Sequence, residues 1–209
     1  MKLKKSPIDV FDNWVKIGKD DGLEKNHASA VSKMVEYSTS ALEKFSFIDA
    51  GCGNGWLVRN LSNDSRCIKA VGIDGSRRMI KKAKKLDGKN EYVCSDLLNW
   101  KPSEKVNLVM SMEVFYYFEN PEKLTRHIYQ SWLTKNSRLI IGIDFYKENL
   151  ISHSWPEDTG VSIMKLFSEN EWEQMFLNSN FKNVHSWRVN QKKDWEGTLI
   201  VTGEKLQHS

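Results

Sequence analysis

At 209 residues the chain is sized for one domain with a substantial core and little left over for a second. A content of 40% hydrophobic, 28% charged and 11% aromatic residues excludes the low-hydrophobicity, high-charge balance of a disordered chain. Thirty-one Lys and Arg against 27 Asp and Glu leave a net charge of only +4, too even to call for a polyanionic partner. No apolar run approaches the ~20 residues of a membrane span; the stretch 114–118 is strand-sized. The basic start, Met1 to Pro7, lacks the following apolar stretch of ~7–15 residues found in signal peptides, so a cytoplasmic protein without a membrane partner is expected. Cys52, Cys67 and Cys94 form no Cys-x-x-Cys pair, which supports neither a disulfide framework nor a metal site.

Residues up to about 25, with Trp14, Gly18, Asp20, Asp21 and Gly22, read as a short helix and a turn. Asn26 then caps an amphipathic helix running toward Leu42, in which Ala30, Val31, Met34, Val35 and Ser38 recur at three and four residues. The period shortens over 45–50, an apolar run that stops at a glycine cluster as a buried strand does. Helices over 56–61 and 76–86 alternate with strands over 67–73, 91–94 and 106–112. Asn120-Pro121 opens a helix with a capping residue and a proline at the first helical position, and 138–144 is a fifth strand. Ser168-Glu169-Asn170-Glu171 is a capping box, with Phe167 placed to staple against Trp172. Two late strands, 184–189 and 198–202, have only a short connection and so pair antiparallel. The pattern predicts an α/β fold, a mostly parallel sheet with helices on both faces. It is read as a single domain, with 1–44 a helical lid or cap and 45–209 a core carrying an insertion at 145–165.

The sharpest signal is Asp49-Ala50-Gly51-Cys52-Gly53-Asn54-Gly55, between the first strand and a helix. Glycines let a backbone turn tightly and approach a ligand, and the N–H groups that open a helix favour an anionic or polar group. A nucleotide-like cofactor is expected. The dinucleotide fingerprint Gly-x-Gly-x-x-Gly does not fit, because its third glycine falls on Trp56 or on Val58. An acid followed by Gly-x-Gly-x-Gly resembles the first motif of the class I S-adenosylmethionine-dependent methyltransferases, and later residues extend the resemblance. Asp74, in Val71-Gly72-Ile73-Asp74-Gly75-Ser76, ends the second strand 19 positions after Gly55. There the family holds both ribose hydroxyls on a carboxylate, an acceptor-only group with two oxygens. Asp96, in Tyr92-Val93-Cys94-Ser95-Asp96-Leu97, matches the family position for the adenine amino group, with the Leu97 N–H for the ring. Met112 and Glu113 close the fourth strand, where a backbone carbonyl meets the cofactor's amino group.

The resemblance implies a Rossmann-like seven-stranded sheet of order 3-2-1-4-5-7-6 with the last strand antiparallel. It also implies S-adenosyl-L-methionine as cofactor, released as S-adenosyl-L-homocysteine. It places Asp49, Gly51, Cys52, Gly53, Asn54, Gly55, Asp74, Gly75, Ser76, Asp96, Leu97, Met112 and Glu113 at that cofactor. Singly, Asp74 reads equally as a strand-end cap and Asp96 as a turn residue. Cys52 has no His or Cys beside it and reads as a small loop residue rather than a nucleophile.

Methyl transfer from a sulfonium is an in-line displacement, so alignment and a free lone pair matter more than any one catalytic group. Relatives acting on base or glutamine nitrogen often carry Asn/Asp-Pro-Pro-Tyr/Phe after the fourth strand; here that place reads Ser111-Met112-Glu113-Val114-Phe115-Tyr116-Tyr117-Phe118. This acidic and aromatic run is closer to the family's small-molecule branch, type 11. The expected acceptor pocket has Trp14, Tyr117 and Trp155 as walls and Tyr116 or His153 as proton acceptor. His153 and Trp155 lie in the 145–165 segment, longer than a usual ~2–6 residue connection; His153 by itself reads first as a surface or loop-packing histidine. Asp20, Asp21, Glu24, Glu113, Glu157 and Asp158 favour an amine acceptor, since cations are drawn to carboxylates and ring faces. Carboxylate and hydroxyl acceptors stay open, as does a merely solvent-facing role for those acids. The expected partner is thus a small-molecule methyl acceptor of a monomer or homodimer. One alternative is a nucleic-acid methyltransferase, motivated by Lys2, Lys4, Lys5 and the basic residues between Arg77 and Lys85. Against it, Arg77, Lys81 and Lys85 form one helical stripe opposite Met79, Ile80 and Ala83, as on any solvated face. The other is a non-catalytic cofactor-binding or interaction module.

Overall fold

A computed structural model of the chain describes residues 4–207; Lys2, cited above, lies outside them. Seven strands form one sheet: β1 (Phe45–Ala50), β2 (Cys67–Asp74), β3 (Glu91–Cys94), β4 (Val106–Met112), β5 (Leu133–Ile143), β6 (Lys182–Val189) and β7 (Thr198–Lys205). Their order is β3-β2-β1-β4-β5-β7-β6, and only β7 runs antiparallel to its neighbours. The expected order and orientation are both found. The helices are α1 (Pro7–Lys16), α2 (Leu23–Thr39), α3 (Trp56–Leu61), α4 (Arg77–Leu86), α5 (Pro121–Ser131), α6 (Trp155–Thr159) and α7 (Glu169–Asn178).

Alternation along the strands builds two cores, because successive side chains point to opposite faces. Phe45, Phe47, Leu108, Met110 and Ile140 pack with Val31 and Met34 of α2, Leu57 and Val58 of α3, and Ile80 and Ala83 of α4. Ile48, Val109, Ile141 and Val201 face the other way, onto Leu124 and Ile128 of α5 and Trp172 and Phe176 of α7. Apolar residues on both faces are what a strand covered on both sides requires. Local signals hold at α5 and α7. Asn120 accepts from the Lys123 N–H ahead of Pro121, and Ser168 and Glu171 form the reciprocal capping box with Phe167 edge-on to Trp172.

Several boundaries differ from the sequence expectation. α2 begins at Leu23, so Asn26 lies inside the helix rather than capping it, and it ends at Thr39 rather than near Leu42. A 3-10 turn over Lys19–Gly22 feeds directly into α2, and Glu24 in its first turn suits the positive end of the helix dipole. β5 starts at Leu133, passes Asn136 in a left-handed conformation and stops before Asp144. β6 starts two residues earlier and β7 runs three residues further than read. The apolar run 114–118 makes a 3-10 turn over Phe115–Tyr117, not a strand.

The 145–165 segment holds a 3-10 turn over Leu150–Ser154 and then α6. It is tied to the chain start by the Lys5 N–H donating to the Gly160 carbonyl at 2.9 Å and the Ser162 N–H to the Lys5 carbonyl at 2.8 Å. The Lys165 N–H reaches the Tyr116 carbonyl at 2.8 Å. Two segments distant in sequence therefore meet above the C-terminal ends of the strands.

Candidate active site

In an open α/β sheet the crevice lies where the strand order reverses, here between β1 and β4. A cavity of about 790 Å³ opens there, within the ~300–1,000 Å³ usual for small ligands. Its floor is the loop after β1. The Gly51 and Cys52 N–H groups donate to the Ile73 carbonyl at 2.8 and 3.0 Å, folding the loop across the end of β2. Gly51 and Gly55 have φ of 82° and 78°, the left-handed region that glycine enters without strain. A Cβ on Gly51 would lie 2.3 Å from a Val114 methyl, and one on Gly55 2.5 Å from the Tyr92 ring.

Asp74 closes the loop's far side, accepting the Gly53 N–H at 2.9 Å and the Ser76 N–H at 2.7 Å, one on each oxygen. Asp96 accepts the Leu98 N–H at 2.9 Å and the Asn99 amide at 2.8 Å. Burial, with Asp74 nearby, pushes the Asp49 carboxyl up to about 8, and burial raises Asp74 as well. The Cys52 thiol is pushed up by burial and by both aspartates, so it is no thiolate nucleophile. The site is thus rich in carboxyls that a cation would help to ionise.

On the β4 side, Glu113 has φ of 61° and is pinned by its N–H to the Gly142 carbonyl at 2.9 Å. Its carboxylate accepts the Tyr116 hydroxyl at 2.5 Å and the Asp144 N–H. Burial and the Asp144 charge raise it well above the usual carboxylate range, and burial lifts Asp144 to about 6. Aromatic rings continue from there: Tyr116 to Tyr117 at 4.5 Å, Tyr117 to Phe11 at 5.1 Å, and Phe11 to Trp14 at 5.0 Å. Trp155 lines the same cavity and stacks on Trp195 at 6.2 Å.

The cavity wall includes Asp49, Gly51, Cys52, Gly53, Asp74, Gly75, Asp96, Leu97, Met112 and Glu113, and also Trp14, Tyr116, Tyr117 and Trp155. Four expected residues are elsewhere. Asn54 is buried with its amide on the Asp20 carbonyl at 3.1 Å and the Asp20 carboxylate at 3.2 Å. Gly55 starts α3 beneath Tyr92. Ser76 caps α4 and donates to Asp12 at 2.7 Å. His153 is exposed, its ring on the Lys147 carbonyl at 3.1 Å, which removes it as a proton acceptor in the cavity. Of the acids read as facing an acceptor, only Glu113 and Asp158 line the wall. Asp20 is fully buried against Lys82 at 2.6 Å, Asp21 pairs with Lys82, Glu24 takes the Asn60 amide, and Glu157 pairs with Lys4.

The structure adds Phe11 and His27 to the wall. Phe11 sits three residues before Trp14 on α1, and this i, i+3 spacing is a signal that reading for strands and loops passes over. Nothing local marks His27, whose ring burial depresses below the usual imidazole value. Arg78 and Lys82, among the basic residues behind the nucleic-acid alternative, pair with Asp12 at 2.7 Å and with Asp20 and Asp21 at 2.6 Å. They fasten the N-terminal segment to α4.

Residues 21–186 match a family described as a methyltransferase domain. A relative in Invertebrate iridescent virus 6, 235L, which carries a provisional methyltransferase name, is 25% identical over 63% of this chain. That match spans about half of the viral protein's length, 46%. Among solved structures, one from the complex of the Haloferax volcanii Trm112 methyltransferase activator with a methyltransferase has a TM-score of 0.80 and 22% identity, covering 94% of this chain and 98% of that one. A Thermotoga maritima methyltransferase, described as a candidate histamine N-methyltransferase, has a TM-score of 0.70 and 18% identity over 95% and 99% of the two chains. The N-methyltransferase NodS of Bradyrhizobium japonicum, solved with S-adenosyl-L-homocysteine, has a TM-score of 0.63 and 17% identity over 86% and 87%. At these identities the structural likenesses establish the fold.

Proposed function

The chain belongs to the methyltransferase domain family, and from that premise we propose that it transfers a methyl group from S-adenosylmethionine to a small-molecule acceptor. The observation that carries this reading is the convergence of Asp49, Asp74, Asp96 and Glu113, from four adjacent strand ends, with the glycine loop on one cavity. The residues present fit the cofactor. Each Asp74 oxygen accepts one N–H, which leaves a lone pair on each for a ribose hydroxyl. Asp96 keeps unused acceptor sites in the same way. Asp49 is a carboxyl whose charged form a cationic ligand stabilises. The buried Nδ1 of His27, on the cavity wall, has no hydrogen-bond partner.

When bound, S-adenosylmethionine supplies an electrophilic methyl on a sulfonium. The chain's own work is then alignment and exclusion of water. Asp74, itself held by the Gly53 N–H, would hold the sugar, Asp96 and Leu97 would hold the base, and the loop would set the depth of approach. Phe11 and Trp14 from the N-terminal segment and Trp155, Ile163 and Met164 from the 145–165 segment cover the opening. On this reading α1 belongs to the roof of a single catalytic domain, whereas α2, read from the sequence as part of a lid over 1–44, packs into the core beneath the sheet face. An aromatic roof over a cavity of this size suits a small acceptor, whereas the basic helix α4 spends Arg78 and Lys82 on internal pairs. No described helix is long and apolar enough to cross a membrane, and we place the protein in the cytoplasm. The Haloferax volcanii neighbour, solved with an activator, supports a second reading in which this chain too acts with a protein partner rather than as a monomer or homodimer.

Calorimetric titration with S-adenosylmethionine and S-adenosylhomocysteine, on the wild type and Asp74→Ala, tests the first reading. The wild type is expected to bind both. Asp74→Ala loses two hydrogen bonds to a charged acceptor, each worth ~1.5–3 kcal/mol, and should weaken binding ~100-fold or more. No binding to folded wild-type protein refutes the proposal.

A further inference from the structure

With the ends of β1, β2 and β3 given to the cofactor, three acids of the cavity wall are left: Glu113, Glu119 and Asp158. Glu119 pairs with Lys165 at 2.5 Å, and Asp158 accepts the Ser154 hydroxyl at 2.7 Å. Glu113 is different. Its two oxygens take the Tyr116 hydroxyl and the Asp144 N–H, both neutral donors. Beside it Asp144 is 8% exposed and has an Oδ1 without a hydrogen-bond partner. Glu113 on the cavity wall and Asp144 beside it are thus two neighbouring carboxyls with no cation within ion-pair distance among the described residues, an arrangement that is costly to ionise unless positive charge arrives.

The backbone holds Glu113 in place at a cost. Its left-handed φ of 61° is a conformation that few non-glycine residues adopt, and such strain collects where a side chain has to be aimed. In front of it stand the linked rings of Tyr116, Tyr117, Phe11 and Trp14. Ring faces attract ammonium groups, and the chain's own Lys19 already lays its Nζ 4.1 Å from the centroid of the Trp14 ring.

Resting on the methyltransferase reading, we propose that the acceptor is a primary or secondary amine, bound as its ammonium between Glu113 and these rings, and that Glu113 accepts the proton this ammonium must lose. An ammonium has no lone pair, so an N–H bond breaks first; the electron pair stays on nitrogen and the proton passes to a Glu113 carboxylate oxygen. The freed pair then forms the N–C bond to the donor methyl as the C–S pair passes to sulfur. Burial and the Asp144 charge raise Glu113 toward the ~10 of an ammonium, and a smaller gap makes it a better matched acceptor. Tyr116, whose hydroxyl donates to Glu113, is a positioning residue.

The test uses a permanent cation, whose charged nitrogen carries no proton. Choline and its neutral carbon isostere, 3,3-dimethylbutan-1-ol, are titrated into protein saturated with S-adenosylhomocysteine, over a range of pH. Choline is expected to bind at least ~10-fold more tightly at about pH 8.5, that is by ~1.4 kcal/mol or more, as a desolvated cation on ring faces does. Its advantage should shrink as pH falls and Glu113 takes up a proton. The other ionisable groups nearby are Tyr116, Tyr117 and Asp144 beside Glu113, and Lys19, His27, Asp49, Asp74, Asp96, Glu119 and Asp158 around the cavity. Glu113→Gln separates them by bringing the two probes within ~2-fold and flattening the pH dependence. In methyl transfer to a panel of primary and secondary amines, Glu113→Gln should lower kcat by ~100-fold or more near neutrality, with the loss shrinking toward the amine's own pKa. Tyr116→Phe should shift the pH profile without abolishing turnover. Equal or undetectable binding of both probes to the loaded wild type overturns the proposal, as does an unchanged pH dependence in folded Glu113→Gln. Failure of S-adenosylhomocysteine itself to bind is a separate result, which takes down the methyltransferase reading.

Discussion

Gly51→Ala puts the close approach of two strand ends to a numerical test. Gly51 has φ of 82°, and a Cβ there would lie 2.3 and 2.9 Å from the two Val114 methyls and 3.1 Å from the Val114 Cβ. The left-handed conformation costs an alanine ~1–2 kcal/mol relative to glycine. Val114 is β-branched and stiff at χ1, and rotating one methyl away brings another atom in, so the overlap adds the ~1–3 kcal/mol typical of overpacking. The sum, ~2–5 kcal/mol, is a large part of the ~5–15 kcal/mol by which domains are stable. Urea unfolding followed by tryptophan fluorescence would measure it. A double-mutant cycle with Val114→Ala divides the two causes, because it removes the clashing methyls and leaves the backbone cost. The double variant should recover ~1–3 kcal/mol of coupling. A single variant within ~0.5 kcal/mol of wild type, or a cycle without coupling, would show that the strand ends can part and that the loop is not held as described.

Asp49, raised to about 8 by burial and Asp74, binds its proton more tightly folded than unfolded. Its stabilising contribution is therefore full below about pH 4 and lost as pH rises toward 8, at up to ~1.4 kcal/mol per unit. A urea series from about pH 5 to 8 should show falling stability that Asp49→Asn reduces, and equal slopes in the two proteins would contradict the assignment. Asp20→Ala removes a fully buried carboxylate from its ion pair with the partly exposed Lys82 and should cost ~3 kcal/mol, with earlier protease nicking before α2; unchanged proteolysis would show that Asn54 and Asp20 do not fasten that segment. Combined Trp14→Ala and Trp155→Ala should raise the acceptor KM while leaving S-adenosylhomocysteine affinity within ~3-fold, and intact turnover would remove both from the acceptor pocket. Labelled RNA should not bind at low salt, where phosphate contacts are strongest, and tight, salt-sensitive binding would restore the nucleic-acid alternative.

Much of the site was legible because its signals are short-range. The Asp49 to Gly55 loop, Asp74 and Asp96 each end a strand whose apolar run announces it, and strand ends of one parallel sheet share an edge. Asn26 misled because a capping residue type carries no weight once the 3-10 turn over Lys19–Gly22 has already set the helix direction. Asn54 was assigned to the cofactor by position, yet its amide goes to Asp20, 34 residues away, a pairing no local pattern reveals. His153 and His27 exchanged places for the same reason. A loop histidine beside a tryptophan looks functional, whereas His27 lies in an unremarkable helix until α2 packs against the glycine loop.

The sequence by itself determined the alternation of strands and helices, the glycine loop and the acids that follow it, since hydrophobic period and turn chemistry act within a few residues. Only the tertiary structure decided which acids face the cavity, which are consumed in holding the N-terminal segment, and that Glu113 and Asp144 share a site without a cation. Those outcomes depend on burial and on contacts between residues up to about 160 positions apart, such as Ser29 with Asn190. Distances of that kind exist only once the sheet has brought its strand ends together.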